Sequence, residues 1–388
     1  MGAGATEHKM NFQNKFDLIK TKLNIIQEKY DEMKLNISIF EDINNREKSF
    51  DENKNDYKKA KLNYLEKKMD SLIKYMGKIN ESFESLIKKT NKLLWNKQYI
   101  PLIGLGTSRI TNIVEVVYSS IKDGLRLIDT ATKYNNETEV GEGIQKALKD
   151  NLCKREDLFI IGKVCIDDRK DPETAIRNTL KKLNLEYLDL YLDHWPSGDN
   201  LIDPKNIKKQ ISIYEFWPKM EELVKKGLTK SIGCSNYNVQ SLLNLLSFCK
   251  IKPVANQVEF HPFYYQENLK QFCDKENIAL IAYYPLGKGN GARKYIEEHN
   301  GEMDIFKQKE VLDLVNKYKK TPGQIILNWI VKQDIIAIPG TSKTDRMKEN
   351  IESLYFEMDK EDMKSLCKFG KKIKFCGCER FFGYNIMA

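Results

Sequence analysis

Apolar residues in the first part of the chain recur in an alternation of four and three positions. The first series lies at positions 12, 16, 19, 23, 26, 30, 33, 37 and 40. The second series is out of phase with the first and lies at positions 62, 65, 69, 72, 76, 79, 83 and 86. This spacing predicts two helices, each with the narrow apolar stripe that is typical of coiled coils.

The segment between the two stripes, residues 41–56, is polar and contains neither proline nor glycine. Two stripes of similar length favour an antiparallel helical hairpin, with arms of about 45 Å at 1.5 Å per residue. One long helix with a phase slip, or a dimeric coiled coil, would give the same pattern. We therefore expect residues 1–95 to form a helical coiled-coil extension. It would dock on a protein partner, self-associate through residues 12–93, or only stabilise the chain.

From Ile100 onward, short apolar runs alternate with segments of helical periodicity. The predicted strands are Ile100–Ile110, Leu125–Asp129, Leu158–Val164, Tyr187–Pro196, Lys230–Asn236, Val254–Phe260, Ala279–Gly287 and Ile335–Ser342. Regular alternation of strands and helices favours a parallel sheet, and eight strands fit a barrel of about 250 residues. A doubly wound sheet fits less well because no GxGxxG segment follows an early strand. We predict an α/β fold in which the helical hairpin precedes a (β/α)8 TIM barrel over residues 96–388.

Polar side chains interrupt or follow three of these predicted strands. Asp129 ends the second strand and Tyr134 comes five residues later, while Lys163 and His194 interrupt the third and fourth strands. A buried lysine needs a counter-charge, which Asp129 on the neighbouring strand can supply. Taken singly, Asp129 would be a helix cap or turn residue and His194 a core histidine. In a parallel barrel, however, the loops after the strands build the active site, so we expect these side chains to meet there.

Asp, Tyr, Lys and His at successive strand ends resemble the catalytic tetrad of the aldo-keto reductases, and the resemblance runs from about Ile100 to the C-terminus. It implies that an aldehyde or ketone is reduced by hydride transfer from NADPH. Tyr134 would protonate the carbonyl oxygen, and Lys163 would lower the pKa of its phenol, which is about 10 when free. Asp129 would keep the lysine charged, and neutral His194 would orient the carbonyl group.

The same resemblance extends to segments that would hold the cofactor. GCSNY supplies Ser235 and Asn236, and NQVEFHP supplies Gln257, to bind the carboxamide. AYYPLG supplies Tyr283 to stack on the nicotinamide ring and Leu286 to cover the pyrophosphate. The positions implied for the 2'-phosphate and adenine, in PGTSKTDRMKEN, are Thr341, Ser342, Arg346, Glu349 and Asn350.

Three positions depart from the family pattern. Tyr284 stands where many members have serine, which removes one expected pyrophosphate hydrogen bond. Gly340 stands where some members have lysine, which weakens the expected preference for NADPH over NADH. Ser108 replaces a bulky aromatic residue of some relatives and so predicts a roomier pocket. The other expected substrate-pocket residues are Trp195, Phe381 and Phe382.

Composition narrows the class of protein and its expected location. The net charge of +9 comes from scattered lysines, which suits an anionic cofactor and argues against a nucleic-acid-binding protein. No apolar run reaches 18 residues, so no transmembrane segment is expected. The eight cysteines form no CxxC pair, which predicts free thiols, no metal site and a reducing compartment. We therefore expect a cytoplasmic protein, with tethering to a scaffold or cytoskeletal structure and a weak N-myristoylation motif at Gly2 as further options.

Two functions from different classes fit these observations. The first is a cytoplasmic NADPH-dependent reductase of aldehydes or ketones. The alternative is a structural or regulatory subunit, similar to an ion-channel β-subunit or bound to a scaffold, with a cofactor-binding barrel and little turnover. Measurable carbonyl reduction would separate them.

Overall fold

The computed structural model describes residues 24–39, 52–196, 211–287, 296–299, 301–367, 369 and 373–376. The chain divides into two units, Met1–Lys89 and Thr90–Ala388. The predicted myristoylation site at Gly2 and the predicted pocket residues Phe381 and Phe382 lie outside the described residues. Within those residues, no helix is long and apolar enough to cross a membrane.

The first unit contains two helices, α1 over residues 24–39 and α2 over Glu52–Thr90. In α1, Ile26 and Ile37 are only 8% and 9% exposed, whereas Leu35 between them is 61% exposed. The covered residues therefore stand at positions of the predicted apolar stripe, and Leu35 stands off it.

Helix α2 repeats this pattern over its 39 residues. Its half-buried stripe residues are Leu62, Leu65, Met69, Leu72, Met76, Ile79 and Leu86. Stripe positions 12, 16, 19, 23 and 40, and the side chain at 83, lie outside the part of the chain that the structure describes. The helices are confirmed, and their arrangement as a hairpin stays a prediction.

The second unit begins with a two-stranded antiparallel ribbon of β1 (Asn91–Leu93) and β2 (Tyr99–Pro101). Eight parallel strands follow, in alternation with helices. The strands are β3 (Leu105–Gly106), β4 (Leu127–Asp129), β5 (Phe159–Val164), β6 (Leu190–Asp193), β7 (Ile232–Ser235), β8 (Ala255–Glu259), β9 (Ala279–Tyr283) and β10 (Ile336–Ala337). The helices are α3 (Ile113–Lys122), α4 (Glu137–Lys149), α5 (Pro172–Leu183), α6 (Ile213–Lys225), α7 (Val239–Leu246), α8 (Glu267–Lys275), α9 (Lys309–Tyr318), α10 (Pro322–Val331), α11 (Thr344–Glu352) and α12 (Lys360–Ser365).

The eight parallel strands pair in chain order, from β3 to β10, and the sheet closes on itself. Closure is made by the parallel pairing of Ile103 with Ala337, where the Gly104 amide donates to the Ala337 carbonyl across 2.9 Å. A Cβ atom at Gly106 would lie 2.8 Å from the Ile338 carbonyl oxygen, so this seam requires a residue without a side chain. The predicted barrel is confirmed, and all strand C-termini lie at one edge of it.

The first predicted strand is divided between two sheets. Tyr99–Pro101 pairs antiparallel with Asn91–Leu93, whereas Ile103 and Leu105–Gly106 pair within the barrel. The apolar run Ile100–Ile110 did not show this division, because the partner strand Asn91–Leu93 lies within residues 1–95, for which only helical structure was expected.

Local sequence signals explain where several barrel helices begin. Asp171 accepts a hydrogen bond from the Thr174 amide across 3.1 Å, and Pro172 is the first residue of α5. Thr321 and Gln324 form a reciprocal capping box in front of α10. The Asp171 cap fixes the start of the helix that follows β5, and the Thr321 cap fixes the start of the helix that follows α9.

Candidate active site

Asp129 and Lys163 form an ion pair in the interior of the barrel. Asp129 is the last residue of β4 and is 1% exposed, while Lys163 lies in β5 and is fully buried. Lys163 Nζ donates to Asp129 Oδ1 across 2.6 Å and to the Thr130 carbonyl across 3.1 Å. The counter-charge that a buried lysine requires is therefore present.

The charge state of this pair follows from burial and from mutual attraction. Burial alone would lower the pKa of Lys163, but the carboxylate of Asp129 outweighs it and leaves that pKa above its ordinary value. Burial raises the pKa of Asp129, while Lys163 and the amide of Gln257 limit the rise. Lys163 is consequently a permanent cation at neutral pH.

Tyr134 completes this group from the loop after β4. It ends a single 3-10 turn, Thr132–Tyr134, and its side chain is half-buried. Lys163 Nζ donates to the Tyr134 hydroxyl oxygen across 3.0 Å. One ammonium group thus bridges the carboxylate of Asp129 and the phenol of Tyr134.

The pKa of Tyr134 lies above its ordinary value, which corrects the expectation that Lys163 would bring it below 10. Burial is the largest cause of the rise, and the Asp129 charge adds to it. Lys163 acts in the expected direction, but its effect on the Tyr134 pKa is smaller than that of burial. Tyr134 is therefore a protonated phenol at neutral pH. The Lys163 ammonium lies 3.0 Å from its hydroxyl oxygen, where it would stabilise the phenolate.

His194 stands beside Tyr134, directly after β6. The two rings meet edge to face, with centroids 5.9 Å apart. Burial, followed by the positive charges of Lys163 and Lys133, holds the pKa of His194 well below its ordinary value. His194 is therefore neutral at physiological pH and has a ring N–H to donate to an oxygen at the site.

The implied carboxamide-binding residues form one hydrogen-bonded group at the ends of β7 and β9. Asn236 has a left-handed backbone (φ 66°), and its side-chain amide donates to the His194 carbonyl across 2.9 Å. The Tyr283 hydroxyl donates to Asn236 Oδ1 across 2.8 Å, and the Ser235 hydroxyl donates to the Gln257 carbonyl across 2.8 Å. These contacts place the residues next to His194.

Gln257 has a contact that the sequence did not indicate. Its side-chain amide donates to Asp129 Oδ2 across 2.7 Å, on the oxygen that Lys163 leaves available. The two residues are 128 positions apart, and only the closed barrel brings β4 and β8 into facing positions. Gln257 therefore holds the second carboxylate oxygen of Asp129 in place.

The positions implied for the phosphate and adenine lie in the loop after β10 and in helix α11. Arg346 is exposed on α11, and its guanidinium forms no hydrogen bond or ion pair with another described residue. Ser342 is exposed and its hydroxyl accepts a hydrogen bond from the Thr111 amide. Thr341 is buried and caps the Lys343 amide, while Glu349 accepts a hydrogen bond from Thr321. Asn350 is buried and Leu286 half-buried.

Two of the expected substrate-pocket residues are described. Trp195 stacks on His194 with ring centroids 6.3 Å apart, so it lies against the catalytic group. Ser108 is exposed and follows Thr107, whose amide donates to the Asp129 carbonyl across 3.0 Å. Both residues border the C-terminal edge of the barrel where Tyr134 and His194 lie.

A buried polar trio beside His194 was missed by the sequence analysis. Asp193, the last residue of β6, accepts a hydrogen bond from the Tyr237 hydroxyl across 2.7 Å and lies 3.4 Å from Arg169 Nη2. Asp193 directly precedes His194, and Tyr237 directly follows Asn236. The only sequence signal was a second aspartate in the strand YLDLYLD, which a solvated turn would explain equally well.

No group of three or more His, Cys, Asp or Glu side chains that could hold a metal ion occurs among the described residues. Of the two cysteines at CxC spacing, Cys376 is half-buried and forms no disulfide with another described residue, and Cys378 lies outside the described residues.

Comparison with known proteins agrees with this geometry. Residues 103–371 match the model of the Aldo/keto reductase family. Aldose reductase B of Dictyostelium discoideum is 36% identical over 307 residues, which cover 74% of this chain and 95% of that protein. Aldo-keto reductase family 1 member A1 of Gallus gallus is 37% identical over 296 residues, which cover 73% and 89%.

Solved structures show the same relationship. The Bombyx mori aldo-keto reductase, solved in complex with NADP, superposes with a TM-score of 0.69 at 31% identity and covers 76% of this chain and 98% of that one. The aldose reductase of Schistosoma japonicum superposes with a TM-score of 0.66 at 30% identity and covers 76% and 96%. With its closed eight-stranded barrel and the Asp129–Lys163–Tyr134 group beside His194, the chain belongs to the aldo/keto reductase family.

Proposed function

We propose that the barrel reduces an aldehyde or ketone to an alcohol with NADPH, and that Tyr134 is the proton donor. The observation that carries this proposal is the position of Lys163 Nζ, 2.6 Å from Asp129 and 3.0 Å from the Tyr134 hydroxyl. A carbonyl that accepts hydride becomes an alkoxide and needs a proton at its oxygen. NADPH, when bound, supplies the hydride.

The four side chains have distinct tasks in this proposal. Tyr134 Oη gives its proton to the carbonyl oxygen, and the Lys163 ammonium stabilises the phenolate that remains. Asp129 keeps that ammonium charged and, through Gln257, is itself fixed in position. His194 is neutral and donates a hydrogen bond to the carbonyl oxygen, which aligns the substrate beside Tyr134.

The side chains near the site fit NADPH. Tyr283 presents an aromatic ring at the end of β9, and Ser235, Asn236 and Gln257 provide the amide and hydroxyl groups that a carboxamide requires. Arg346 is an exposed guanidinium in the first turn of α11, and Ser342, two residues before that helix, has an exposed hydroxyl. This pair suits a phosphate dianion, such as the 2'-phosphate that distinguishes NADPH from NADH. Relatives of the chain include NAD(P)H-dependent D-xylose reductases, for example XYR1 of Pyricularia oryzae at 34% identity.

The direct test is oxidation of NADPH by the purified full-length protein with a panel of aliphatic and aromatic aldehydes. We expect turnover of about 1 s⁻¹ or more with at least one of them, within the usual range for enzymes. Tight NADPH binding without turnover on any carbonyl would contradict the proposal. That result would favour a structural or regulatory subunit with a cofactor-binding barrel.

We further propose that the first unit serves docking or self-association. Support comes from apolar residues off the covered stripes, since Ile25, Leu35 and Ile39 of α1 are 46%, 61% and 48% exposed. Tyr64 and Tyr75 of α2 are also more than half exposed. Narrow stripes alone stabilise such helices weakly, so additional apolar residues on other faces suit a second contact surface.

A further inference from the structure

Glu259 joins the C-terminal part of the chain to the barrel through two hydrogen bonds. It is the last residue of β8 and is fully buried. The Phe375 amide donates to Glu259 Oε1 across 2.5 Å, and the Cys376 amide donates to Oε2 across 2.8 Å. A buried carboxylate is stable only when such donors compensate its desolvation, and here the donors come from residues 116 and 117 positions further along the chain.

His261 supports the same carboxylate from the loop after β8. It is fully buried, and its Nε2 lies 2.9 Å from Glu259 Oε1. Since an ionised carboxylate only accepts hydrogen bonds, this contact requires the proton on Nε2. The ring of His261 also packs on Phe375, with centroids 5.1 Å apart.

Residues 373–376 are held on both sides of this contact. The Ile373 amide donates to the Phe263 carbonyl across 2.8 Å, and Ile373 and Phe375 are both buried. A Cβ atom at Gly287 would lie 2.9 Å from the Phe375 ring, which shows how closely the segment fits the loop after β9. We refer to Glu259, His261 and the backbone amides of Phe375 and Cys376 as the tail anchor.

The tail anchor places Cys376 near the candidate active site. Cys376 follows Phe375, which packs against Gly287 in the loop after Tyr283, and Cys376 is among the groups that raise the pKa of Tyr283 and of Tyr134. Tyr283 in turn donates to Asn236, and Asn236 donates to the His194 carbonyl. The tail segment therefore borders the loop that begins at Tyr283, and Tyr283 is linked through Asn236 to the backbone of His194.

We propose that Glu259 and His261 are positioning residues that fix the C-terminal segment as a wall of the substrate site and thereby determine affinity for bulky carbonyl substrates. This inference rests on the proposed reductase function. Neither residue touches the reacting atoms. Their loss should therefore change KM for large substrates more than kcat, because Asp129, Lys163 and Tyr134 keep their contacts.

The test compares Glu259→Gln with Glu221→Gln in the full-length protein. Glutamine keeps the size of the side chain, but its NH2 group cannot accept a hydrogen bond from a backbone amide. Glu221 is a matched control, since it is buried in α6 and accepts from the Lys250 and Ile251 amides across 2.7 and 2.9 Å. It makes the same kind of bond away from the tail.

Hydrogen exchange of the peptide that contains residues 373–376 is the first measurement, made without substrate. We expect exchange there to rise about tenfold or more in Glu259→Gln, because a charge-assisted hydrogen bond is lost, and to stay unchanged in Glu221→Gln. Unchanged exchange in Glu259→Gln would overturn the anchor. This outcome is independent of catalysis, whereas absence of turnover in the unmodified protein would overturn the proposed function instead.

Kinetics with a small aliphatic and a bulky aromatic aldehyde is the second measurement. In Glu259→Gln we expect KM for the bulky aldehyde to rise about fivefold or more, with kcat and the Kd of NADPH within about twofold. An equal KM change for both aldehydes, the same change in Glu221→Gln, or a fall in kcat without a KM change would each overturn the positioning role. If Glu259→Gln does not fold, Phe375→Pro removes a tail donor from outside the barrel strands, and the same exchange and KM results are expected.

Discussion

Gln257 and Asp129 are joined by a hydrogen bond of 2.7 Å across the interior of the barrel. Lys163 donates to the other carboxylate oxygen, so hydrogen bonds to both oxygens fix the orientation of the Asp129 side chain. Gln257 thus contributes to the electrostatics of Lys163 and, through it, to Tyr134. Gln257, which the family resemblance assigns to cofactor binding, therefore also helps to hold Asp129 and the Lys163–Tyr134 contact in place.

Gln257→Glu should impair catalysis in a pH-dependent way. The substitution places a second carboxyl group within hydrogen-bond distance of Asp129, and two such groups share one proton because both cannot ionise there. The pair would also compete for Lys163. We expect kcat at pH 8 to fall about tenfold or more, with partial recovery near pH 6. The control is Gln145→Glu, which changes a half-buried glutamine on helix α4, and an unchanged pH profile of Gln257→Glu would contradict a role of this bond.

Arg346→Ala should weaken NADPH far more than NADH. The exposed guanidinium is available for the 2'-phosphate, and a hydrogen bond to a charged group is worth about 1.5–3 kcal/mol, or roughly 10- to 100-fold in Kd. Fluorescence titration of the two cofactors measures this difference. Lys348→Ala changes an exposed cation on the same helix and serves as the control. Equal losses for NADPH and NADH would show that Arg346 does not bind the 2'-phosphate.

The pH dependence of carbonyl reduction should be flat through the neutral range. The pKa of Tyr134 is raised above its ordinary value of about 10, so the proton donor stays protonated until the pH passes that value. The pKa of His194 lies well below its ordinary value of about 6.5, so no loss from histidine protonation is expected at that pH. Measurement of steady-state kcat between pH 6 and 10 tests the directions of both pKa shifts. An inflection near pH 8, or a loss near pH 6.5, would disagree with these shifts.

The sequence predicted the elements of this protein better than the contacts between them. The apolar stripe in α1 and the strand ends that carry Asp129, Lys163 and His194 follow from local periodicity, which the structure confirms. Lys163 lowers the Tyr134 pKa as expected, but the net shift is upward, because burial by several loops that meet only in the folded barrel has the larger effect. The contacts of Gln257 with Asp129 and of Glu259 with the tail join residues more than 110 positions apart, and a polar residue in a strand does not name its partner.

Deletion of residues 1–89 should leave catalysis largely intact. The described catalytic side chains all belong to the unit that starts at Thr90, and the βα loops of a barrel build the site without an N-terminal extension, so kcat and the Kd of NADPH should stay within about threefold. Light scattering should report a change in oligomeric state if the extension self-associates. A truncated protein that folds and binds NADPH but loses turnover about tenfold would show that the extension takes part in the reaction.

Tyr134 is proposed to donate the proton, while Lys163 and Asp129 stabilise its conjugate base. The most direct measurement is single-turnover oxidation of NADPH with a saturating aldehyde by Tyr134→Phe, next to Tyr118→Phe, which removes a hydroxyl bonded to Asp150 on the outer helices. We predict that Tyr134→Phe loses about 10²- to 10⁴-fold in rate, the range expected for a general acid, while the Kd of NADPH and the rate of Tyr118→Phe stay within about twofold of the unmodified protein. A rate for Tyr134→Phe equal to that of the unmodified protein would show that Tyr134 is not the proton donor.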